Sequence, residues 1–575
     1  MDELRVQAYL ALIQELLNSP RAGNEILNRH WELVDGGFVQ VCEQRAAQLQ
    51  GDGQENAAGF LRNLAQQVGA FLAWEGTGEN EKVRLQQFWL QLLQAEFEGD
   101  TAAVHQVMRQ NMGLIVPNLG DTIAQSMPGL LAQNPDNSEG VAGVVENVCN
   151  RIQGFPDGRY AEALEIAIRG YGVVLELRAD NPPKRAQTLT NLGNACLTQA
   201  EMGIDPAANL DRAIAVYDEA AAIMRRLGLE KNLSGTLTNL GNACLTQAEM
   251  GIDPAANLDR AIAAYDAAAE IMRRLKLEKD LSSTLTNLGN ARSTQAQMGI
   301  DSGANLERAI AALDEAAEIL RRLKLEKDLS STLTNLGVAR LTQAEMGIDS
   351  GANLERAIAA YEEAITIRRR LGLDRDISST LTNLGNARRT QAEMGIDSGA
   401  NLERAIAAYD EAAAIMRRLG LEKDLSSTLT NLGSARHTQA EMGIDPAANL
   451  DRAIAVYDEA AAIRRRLGLE KDLSSTLTNL GNARLTQAEM GIDPAANLDR
   501  AIAVYDEAAA IRRRLGLEKD FSGTLTNLGV ARQTQAEMGI DPAANLDRAI
   551  AAQDEAAAIR RRLGLEKTSP LPSIT

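Results

Sequence analysis

The residues that could carry out nucleophilic catalysis are few and widely spaced in this 575-residue chain. Such catalysis needs a nucleophile such as cysteine within hydrogen-bond reach of a general base. The chain has three histidines and four cysteines, and its later half holds a single histidine with no cysteine near it in sequence. The spacing therefore predicts that the chain is not an enzyme. These residues are His30, His105, His437, Cys42, Cys149, Cys196 and Cys244.

Patterns for metal, nucleotide or phosphate chemistry are equally scarce. The sequence has no CxxC pair, no HExxH, no P-loop and no GxGxxG after a strand. Runs of three arginines occur at 368–370, 464–466, 512–514 and 560–562. Because each run ends a predicted helix beside acidic residues, we expect solvated helix termini that complement the helix dipole. The sequence predicts neither a cofactor nor a metal.

Composition limits the possible partners and the compartment. A formal net charge of −19 argues against nucleic acid and anionic membrane surfaces, which favour basic proteins. Four cysteines are too few for a disulfide framework and suit a reducing compartment. The N-terminus lacks the pattern of a signal peptide, and no apolar run is long enough to span a membrane. We therefore expect a cytoplasmic protein.

Internal repetition dominates the chain and predicts its architecture. Each 48-residue unit divides into two amphipathic helices, the first carrying Leu189 and Leu192 and the second Leu210 and Tyr217. We expect the Ser or Gly pair before each unit to cap the first helix, and either Asp205 or Asn209 to cap the second. The eight units begin at Thr188, Thr236, Thr284, Thr332, Thr380, Thr428, Thr476 and Thr524.

The pattern along the chain predicts four segments. Residues 1–135 form a helical N-terminal domain, in whose core we expect Trp31, Trp74 and Trp89. Residues 136–187 form a divergent first repeat, residues 188–567 hold the eight units, and residues 568–575 form a C-terminal tail. Gln553, which replaces an aromatic or leucine, and the tail suggest a polar end that discourages end-to-end growth.

The segments "NLGNA" and "RAIAVYDEA" resemble the tetratricopeptide repeat. The resemblance implies an all-α, right-handed superhelical solenoid of antiparallel helix pairs that binds a partner in its concave groove. The 48-residue period departs from the usual 34, so superhelix pitch transfers only loosely. An aromatic usual near the end of the first helix is replaced by Cys196, Cys244 or, in later units, arginine. We expect these arginines, from Arg292 to Arg532, to place their stems on the helices and their charged ends in water.

The long near-identical units and the N-terminal "QAYLALIQELLNSP" also look like bacterial tetratricopeptide proteins associated with CHAT, a caspase-like protease domain. This resemblance implies a sensor or adaptor in a bacterial conflict system for immunity or programmed cell death. No CHAT domain is expected in this chain, because the sequence stops eight residues after the last "LGLEK".

Ten of the first 14 positions of each unit never change; the varied ones are two positions three residues apart, the cysteine or arginine position, and a glutamate replaced once by Gln297. With two constant threonines, the two positions that lie three apart fall at i, i+4, i+7 and i+8, one stripe on the helix surface. The resemblance places this stripe in the concave groove, where amides bind a peptide backbone and the varied side chains discriminate; random drift at exposed sites is the alternative. The predicted groove residues are Thr190, Asn194, Leu197, Thr198, Asn242, Leu245, Asn290, Ser293, Val338, Leu341, Asn386, Arg389, Ser434, His437, Asn482, Leu485, Val530 and Gln533.

These patterns predict a non-enzymatic scaffold that binds a protein or peptide. Two alternatives stay open: a structural solenoid that assembles with itself, including as a homodimer, and a recognition subunit of a separate caspase-like protease. A concentration-independent monomer in light scattering would disfavour assembly. A neighbouring gene for a Cys–His protease would favour the recognition subunit.

Overall fold

Helices account for all regular structure in the part of the chain that is described. The computed structural model describes residues 3–18, 26–27, 29–51, 54–75, 78–99, 101–155 and 160–565. These residues form 24 α-helices, two 3-10 turns at Trp31–Leu33 and Met112–Leu114, and no strand. The prediction of an all-α fold is confirmed. By its internal contacts the chain divides into two compact regions: the first region is Met1–Lys276 and the second region is Leu277–Thr575.

The first three helices share a core of their own in the first region. Tyr9, Leu16 and Phe38 are buried there, and the Tyr9 hydroxyl donates a hydrogen bond of 2.7 Å to Asp35. The helices that precede the regular repeats are α1 Glu3–Asn18, α2 Gly36–Gly51, α3 Glu55–Glu75, α4 Gly78–Phe97, α5 Thr101–Gln110, α6 Asn118–Gln133, α7 Ser138–Gln153 and α8 Tyr160–Leu177.

The three tryptophans differ in their surroundings. Trp89 is buried, and its indole N–H donates a 2.9 Å hydrogen bond to the Ser126 hydroxyl. Trp31 is half-buried against the N-terminal core. The side chain of Trp74 lies outside the described residues. The structure thus confirms a core position for Trp89 and a partial one for Trp31.

The segment before the regular repeats contains a helix pair, α7 and α8, and α8 packs against the first regular helix. Arg178, directly after α8, is buried and bonds both α7 and the first regular helix. Its guanidinium contacts the Glu146 carboxylate at 2.5 Å and donates a 2.7 Å hydrogen bond to the Thr188 hydroxyl. Because Glu146 also accepts a hydrogen bond from the half-buried Asn191, its buried carboxylate is bonded from both sides at this junction.

The regular units continue as helix pairs. In the first region these are α9 Pro182–Glu201, α10 Pro206–Leu227, α11 Glu230–Glu249 and α12 Pro254–Leu275. In the second region they are α13 Glu278–Gln297, α14 Ser302–Leu323, α15 Glu326–Glu345, α16 Ser350–Leu371, α17 Asp374–Glu393, α18 Ser398–Leu419, α19 Glu422–Glu441, α20 Pro446–Arg466, α21 Glu470–Glu489, α22 Pro494–Arg514, α23 Glu518–Glu537 and α24 Pro542–Arg562.

Within a pair the two helices run antiparallel and approach closely at one glycine. In α17 and α18, Arg388 contacts Asn401 near the connecting turn, while Gly385 meets Tyr409 farther from it. A Cβ placed on Gly385 would lie 2.5 Å from the Tyr409 ring, so the aromatic ring occupies the space that any side chain would need. Glycine is therefore required for this contact.

The ends of the helices differ from the predicted caps. The first helix starts about six residues earlier than the Ser pair implied: α11 begins at Glu230, and the Ser234 hydroxyl donates to the Lys231 carbonyl within the helix. Asp205 precedes α10 with φ of 39° and makes no side-chain cap. Asn209 instead donates through its amide to the Ile204 carbonyl at 2.8 Å. Both capping predictions were wrong, because Ser234 and Asn209 bond carbonyls rather than free N–H groups, and Asp205 stands at the N-cap position without a side-chain hydrogen bond.

Candidate functional site

The predicted groove residues lie on the first helices, and the structure shows how each position is used. The asparagine position is half-buried, not free. The Asn194 side-chain carbonyl accepts one hydrogen bond of 2.8 Å from the Tyr217 hydroxyl and another of 2.8 Å from the amide of Asn239 in the next unit. This amide therefore joins its own second helix to the following first helix.

The same bridge recurs farther along the chain. Asn386 accepts from Tyr409 at 2.7 Å and from Asn431 at 3.1 Å. Asn482 accepts from Tyr505 at 2.6 Å and from Asn527 at 2.9 Å. We call this arrangement the Asn–Tyr–Asn bridge. Sequence reasoning missed it, although its signal was present in the constant asparagine three residues before each varied one.

Departures from asparagine change the bridge. Ser434 retains a 3.0 Å hydrogen bond to Tyr457. Val338 cannot accept one, and the buried hydroxyl of Tyr361 has no hydrogen-bond partner. The other departures are on the second helix, where Leu313 and Gln553 stand in place of tyrosine in the units of Asn290 and Val530. The bridge therefore requires both the asparagine and the tyrosine of the same unit.

The constant threonines of the stripe also have structural partners. Thr190 donates to the Ala186 carbonyl at 3.0 Å and lies 3.0 Å from the hydroxyl of Thr236 in the next unit. Thr198 donates to the Asn194 carbonyl at 2.9 Å. The hydroxyl contact between units recurs at 2.9 Å between Thr382 and Thr428. These hydroxyls hold the first helices together.

The second varied position is different, and we call its eight residues the variable row. Three of them are buried, at 8% exposure for Leu197 and 9% for Ser293 and Leu341. The other five are half-buried and differ in chemistry from one unit to the next. These five are Leu245, Arg389, His437, Leu485 and Gln533.

An acidic row runs beside the variable row, four residues later on each first helix. It is exposed throughout and consists of glutamates except for one neutral glutamine, Gln297; the glutamates are Glu201, Glu249, Glu345, Glu393, Glu441, Glu489 and Glu537. Polar members of the variable row contact it: the Arg389 guanidinium pairs with Glu393, and Gln533 donates to Glu537 at 2.9 Å. Partial burial raises the pKa of the Glu345 carboxyl, an effect that the Arg389 charge opposes.

His437 is the member of the variable row that titrates nearest neutral pH. Its Nε2 lies 2.9 Å from the Thr486 hydroxyl of the next unit and 3.7 Å from the Glu441 carboxylate. Burial lowers the pKa of the imidazole, while the Glu441 charge acts in the opposite direction. A largely shielded imidazole is consistent with a recognition or packing residue.

Two predictions about arginines were wrong. The arginines that replace the usual aromatic do not place their charged ends in water: Arg340 pairs with Asp314 of the preceding unit at 2.8 Å, and its side chain is 12% exposed. In the triple runs the first arginine is buried rather than solvated at Arg368, Arg464 and Arg512, and it is half-buried at Arg560. The Arg368 guanidinium donates to Ser330, to the Asp376 carbonyl and to Thr380. Burial lowers the pKa of Arg368.

The second and third arginines of the runs at 368–370, 464–466 and 512–514 do lie at the surface, in ion pairs. Arg465 contacts Glu507 of the next unit at 2.8 Å, and Arg466 contacts Glu422 at 2.6 Å. Such exposed pairs contribute little stability individually. They occupy the arginines with carboxylates rather than leaving an anion site.

The cysteines have the environment of core residues. All four are buried, and burial raises the pKa of the Cys42 and Cys149 thiols to about 12 and of the Cys196 and Cys244 thiols to about 11. A thiol with so high a pKa is a poor nucleophile at neutral pH. Among the described residues, no group of three or more His, Cys, Asp or Glu could hold a metal ion. In the same residues, no helix has the length and apolarity needed to cross a bilayer.

Repeated antiparallel helix pairs, packed in register through a glycine–tyrosine contact, define a tetratricopeptide-like helical-repeat protein. No protein-family model and no curated protein matches the sequence. Solved structures with a similar arrangement include BtubC (BKLC) from P. vanneervenii, with 22% identity, a TM-score of 0.35, and coverage of 47% of this chain and 96% of that one.

Two further structures show distant similarity. A signal-transduction ATPase with numerous domains and a tetratricopeptide-repeat sensor, from Pyrococcus horikoshii, has 12% identity and a TM-score of 0.47, covering 73% of this chain and 54% of that one. Aspartyl phosphate phosphatase F from Bacillus subtilis has 11% identity and a TM-score of 0.37, covering 75% of this chain and 94% of that one.

Proposed function

We propose that the chain is a non-enzymatic scaffold that binds an extended protein or peptide segment along its first helices. The observation that carries this proposal is the contrast within the predicted stripe. Threonines and most asparagines are engaged in hydrogen bonds between helices, whereas the half-buried part of the variable row changes from leucine to arginine, histidine and glutamine. A constant frame with changing side chains suits recognition of a sequence.

The acidic row suggests the chemistry of the bound segment. Its carboxylates are exposed and line the same helix face as the variable row. A ligand with lysine or arginine at intervals can pair with them, while Leu245 and Leu485 offer small apolar contacts. We therefore propose a basic, extended segment as the ligand class.

The biological setting is proposed from the sequence resemblance. A cytoplasmic sensor or adaptor in a bacterial conflict system fits a protein of this repeat style, as does a recognition subunit of a separate caspase-like protease. In both cases the chain would contribute binding rather than chemistry. The alternative of self-assembly predicts oligomers whose size grows with concentration.

A display selection with a matched pair of variants tests the binding site. Random peptides would be selected on the full chain and their affinities measured for each variant. The row variant carries His437→Lys, Leu485→Lys and Gln533→Lys, which place positive charge against a basic ligand. The control carries Ala455→Lys, Ala503→Lys and Ala551→Lys, which add the same charge at exposed positions on the second helices of the same three units.

We expect selected peptides to be rich in basic residues and to lose at least tenfold affinity, on the order of 1.4 kcal/mol, for the row variant. The control should bind like the unmodified chain, and circular dichroism should show equal helicity for all three proteins. Equal affinity for the row variant, with folding intact, would reject the proposed site.

A further inference from the structure

Two units of the second region form a natural matched pair. The 14 residues that begin at Thr380 and the 14 that begin at Thr476 are identical except at one place, where Arg389 of the first unit corresponds to Leu485 of the second. Both residues belong to the variable row, and both are half-buried. The recognition surfaces of the two first helices thus differ in this one side chain.

In the unit of Arg389 a cation already lies on the acidic row. The Arg389 guanidinium pairs with the Glu393 carboxylate, four residues later on the same helix. Its charge also acts on Glu345 of the preceding unit, where it opposes the rise in the carboxyl pKa that burial causes. Only 30% of the Arg389 side chain is exposed. This contact shows how a guanidinium binds the surface formed by the two rows.

In the unit of Leu485 the same carboxylate position is unoccupied. Glu489 is exposed, and in the described part of the chain it has no hydrogen-bond or ion-pair partner. Leu485, one turn before it, offers an apolar surface instead of a donor. Lysine and arginine have long aliphatic stems that lie on apolar surface while their charged ends reach a polar group. A leucine followed four residues later by an unpaired glutamate matches that shape.

We propose that Leu485 and Glu489 form a subsite for one lysine or arginine side chain of the bound segment, and that Arg389 blocks the equivalent subsite in its own unit. The stem of the ligand side chain lies on Leu485, and its charge pairs with Glu489. Opposite Arg389 the ligand carries a neutral residue, because Arg389 occupies Glu393 and repels a second cation. This inference rests on the proposed function and makes Arg389 a residue that determines its specificity.

The stacking of the first helices sets the distance between the basic and the neutral residue of the ligand. At the two junctions between Arg389 and Leu485, Asn431 and Thr486 contact the preceding first helix. Helices in contact lie about 8–10 Å apart, so two units correspond to about 16–20 Å. An extended segment rises about 3.3 Å per residue. The basic residue is therefore expected about five or six positions from the neutral one.

A nonalysine peptide with a fluorescent label provides the probe, and its affinity for the full chain is measured by anisotropy at fixed ionic strength. Nine extended residues span about 30 Å, enough for three units. Leu485→Arg blocks the unoccupied subsite, and Arg389→Leu frees the blocked one, each by copying the residue of the matched unit. Ala503→Arg and Arg404→Leu are the controls, which make the same changes of charge at exposed positions on the second helices of those units.

We expect at least fivefold weaker binding to Leu485→Arg than to Ala503→Arg, and at least fivefold tighter binding to Arg389→Leu than to Arg404→Leu. The double variant Arg389→Leu/Leu485→Arg keeps the original net charge and moves the unoccupied subsite to the other unit. Its affinity should therefore lie within about twofold of the affinity of the unmodified chain. Thermal melting should show that all variants fold.

The outcomes separate this inference from the proposed function. Absence of nonalysine binding, or equal affinity of each variant and its charge-matched control, would overturn the assigned subsite. The proposed function would still stand if selected peptides lose affinity for the row variant with His437→Lys, Leu485→Lys and Gln533→Lys. If those peptides also bind the row variant unchanged, both proposals fail.

Discussion

The units that begin at Thr188 and Thr332 share most of their sequence and differ in one bridge. In the first, Asn194 joins Tyr217 to Asn239 through two hydrogen bonds of 2.8 Å. In the second, valine occupies the asparagine position and the buried Tyr361 hydroxyl has no partner. The difference shows that this asparagine stabilises the stacking of units. Under the proposed function, the variable row is the part of the stripe that recognises the ligand.

The contact beneath the bridge should be the most sensitive to change. We expect Gly481→Ala to destabilise its unit by about 3 kcal/mol, because the added Cβ would lie 2.5 Å from the Tyr505 ring. Native-state hydrogen exchange of peptides from α21 and α22 measures this local free energy. Gly523→Ala is the control: nothing lies within 4 Å of its Cβ, so the loss of a helical glycine should stabilise by about 0.5–1 kcal/mol. Similar effects of the two changes would contradict the close contact.

Removing an intact bridge should have the next largest effect. Asn386→Val copies the sequence of Val338 into another unit, and it leaves the Tyr409 hydroxyl and the Asn431 amide without their shared acceptor. We expect a loss of about 2 kcal/mol, the usual cost of unsatisfied buried polar groups. Hydrogen exchange in α17 and α18 measures it. The double variant Asn386→Val/Tyr409→Phe should recover part of the loss, and no recovery would show that the hydroxyl is unimportant.

Restoring the missing bridge should give a smaller effect of opposite sign. Val338→Asn supplies an acceptor for the buried Tyr361 hydroxyl, so we expect its unit to gain about 1 kcal/mol. Exchange should slow in α15 and α16. Val530→Asn serves as the control, since Gln553 replaces the tyrosine there and no buried hydroxyl awaits an acceptor. A gain of equal size in both variants would indicate a general effect of asparagine.

The smallest effect should be a pH dependence at His437. Burial holds the pKa of its imidazole below the ordinary value of about 6.5, so the folded chain binds fewer protons than the unfolded chain. Its unit should therefore be fully stable above pH 6.5 and lose stability as the pH falls below it. Exchange measured at pH 7.5 and 5.5, corrected for intrinsic rates, should show this. His437→Leu should remove the dependence, and its persistence would assign it to another group.

Periodicity predicted the fold well because helix pairs follow directly from the spacing of leucine, glycine and tyrosine. Asn194 was placed on the correct stripe, yet its hydrogen bonds to Tyr217 and Asn239 depend on packing between units that spacing does not specify. Arg368 was assigned to solvent because arginine at a helix end usually is solvated. Its burial depends on the Thr380 hydroxyl and the Asp376 carbonyl, which only the folded junction brings to it.

Site-specific crosslinking tests the central claim most directly, namely that the variable row contacts the ligand while the second helices do not. A photoreactive phenylalanine analogue would replace Leu485 in one chain and the exposed Ala503 of the same unit in another, each irradiated with a selected basic peptide. We predict crosslinks at position 485 and none at 503. Crosslinks at 503 alone, or at neither position despite measurable binding, would contradict the account.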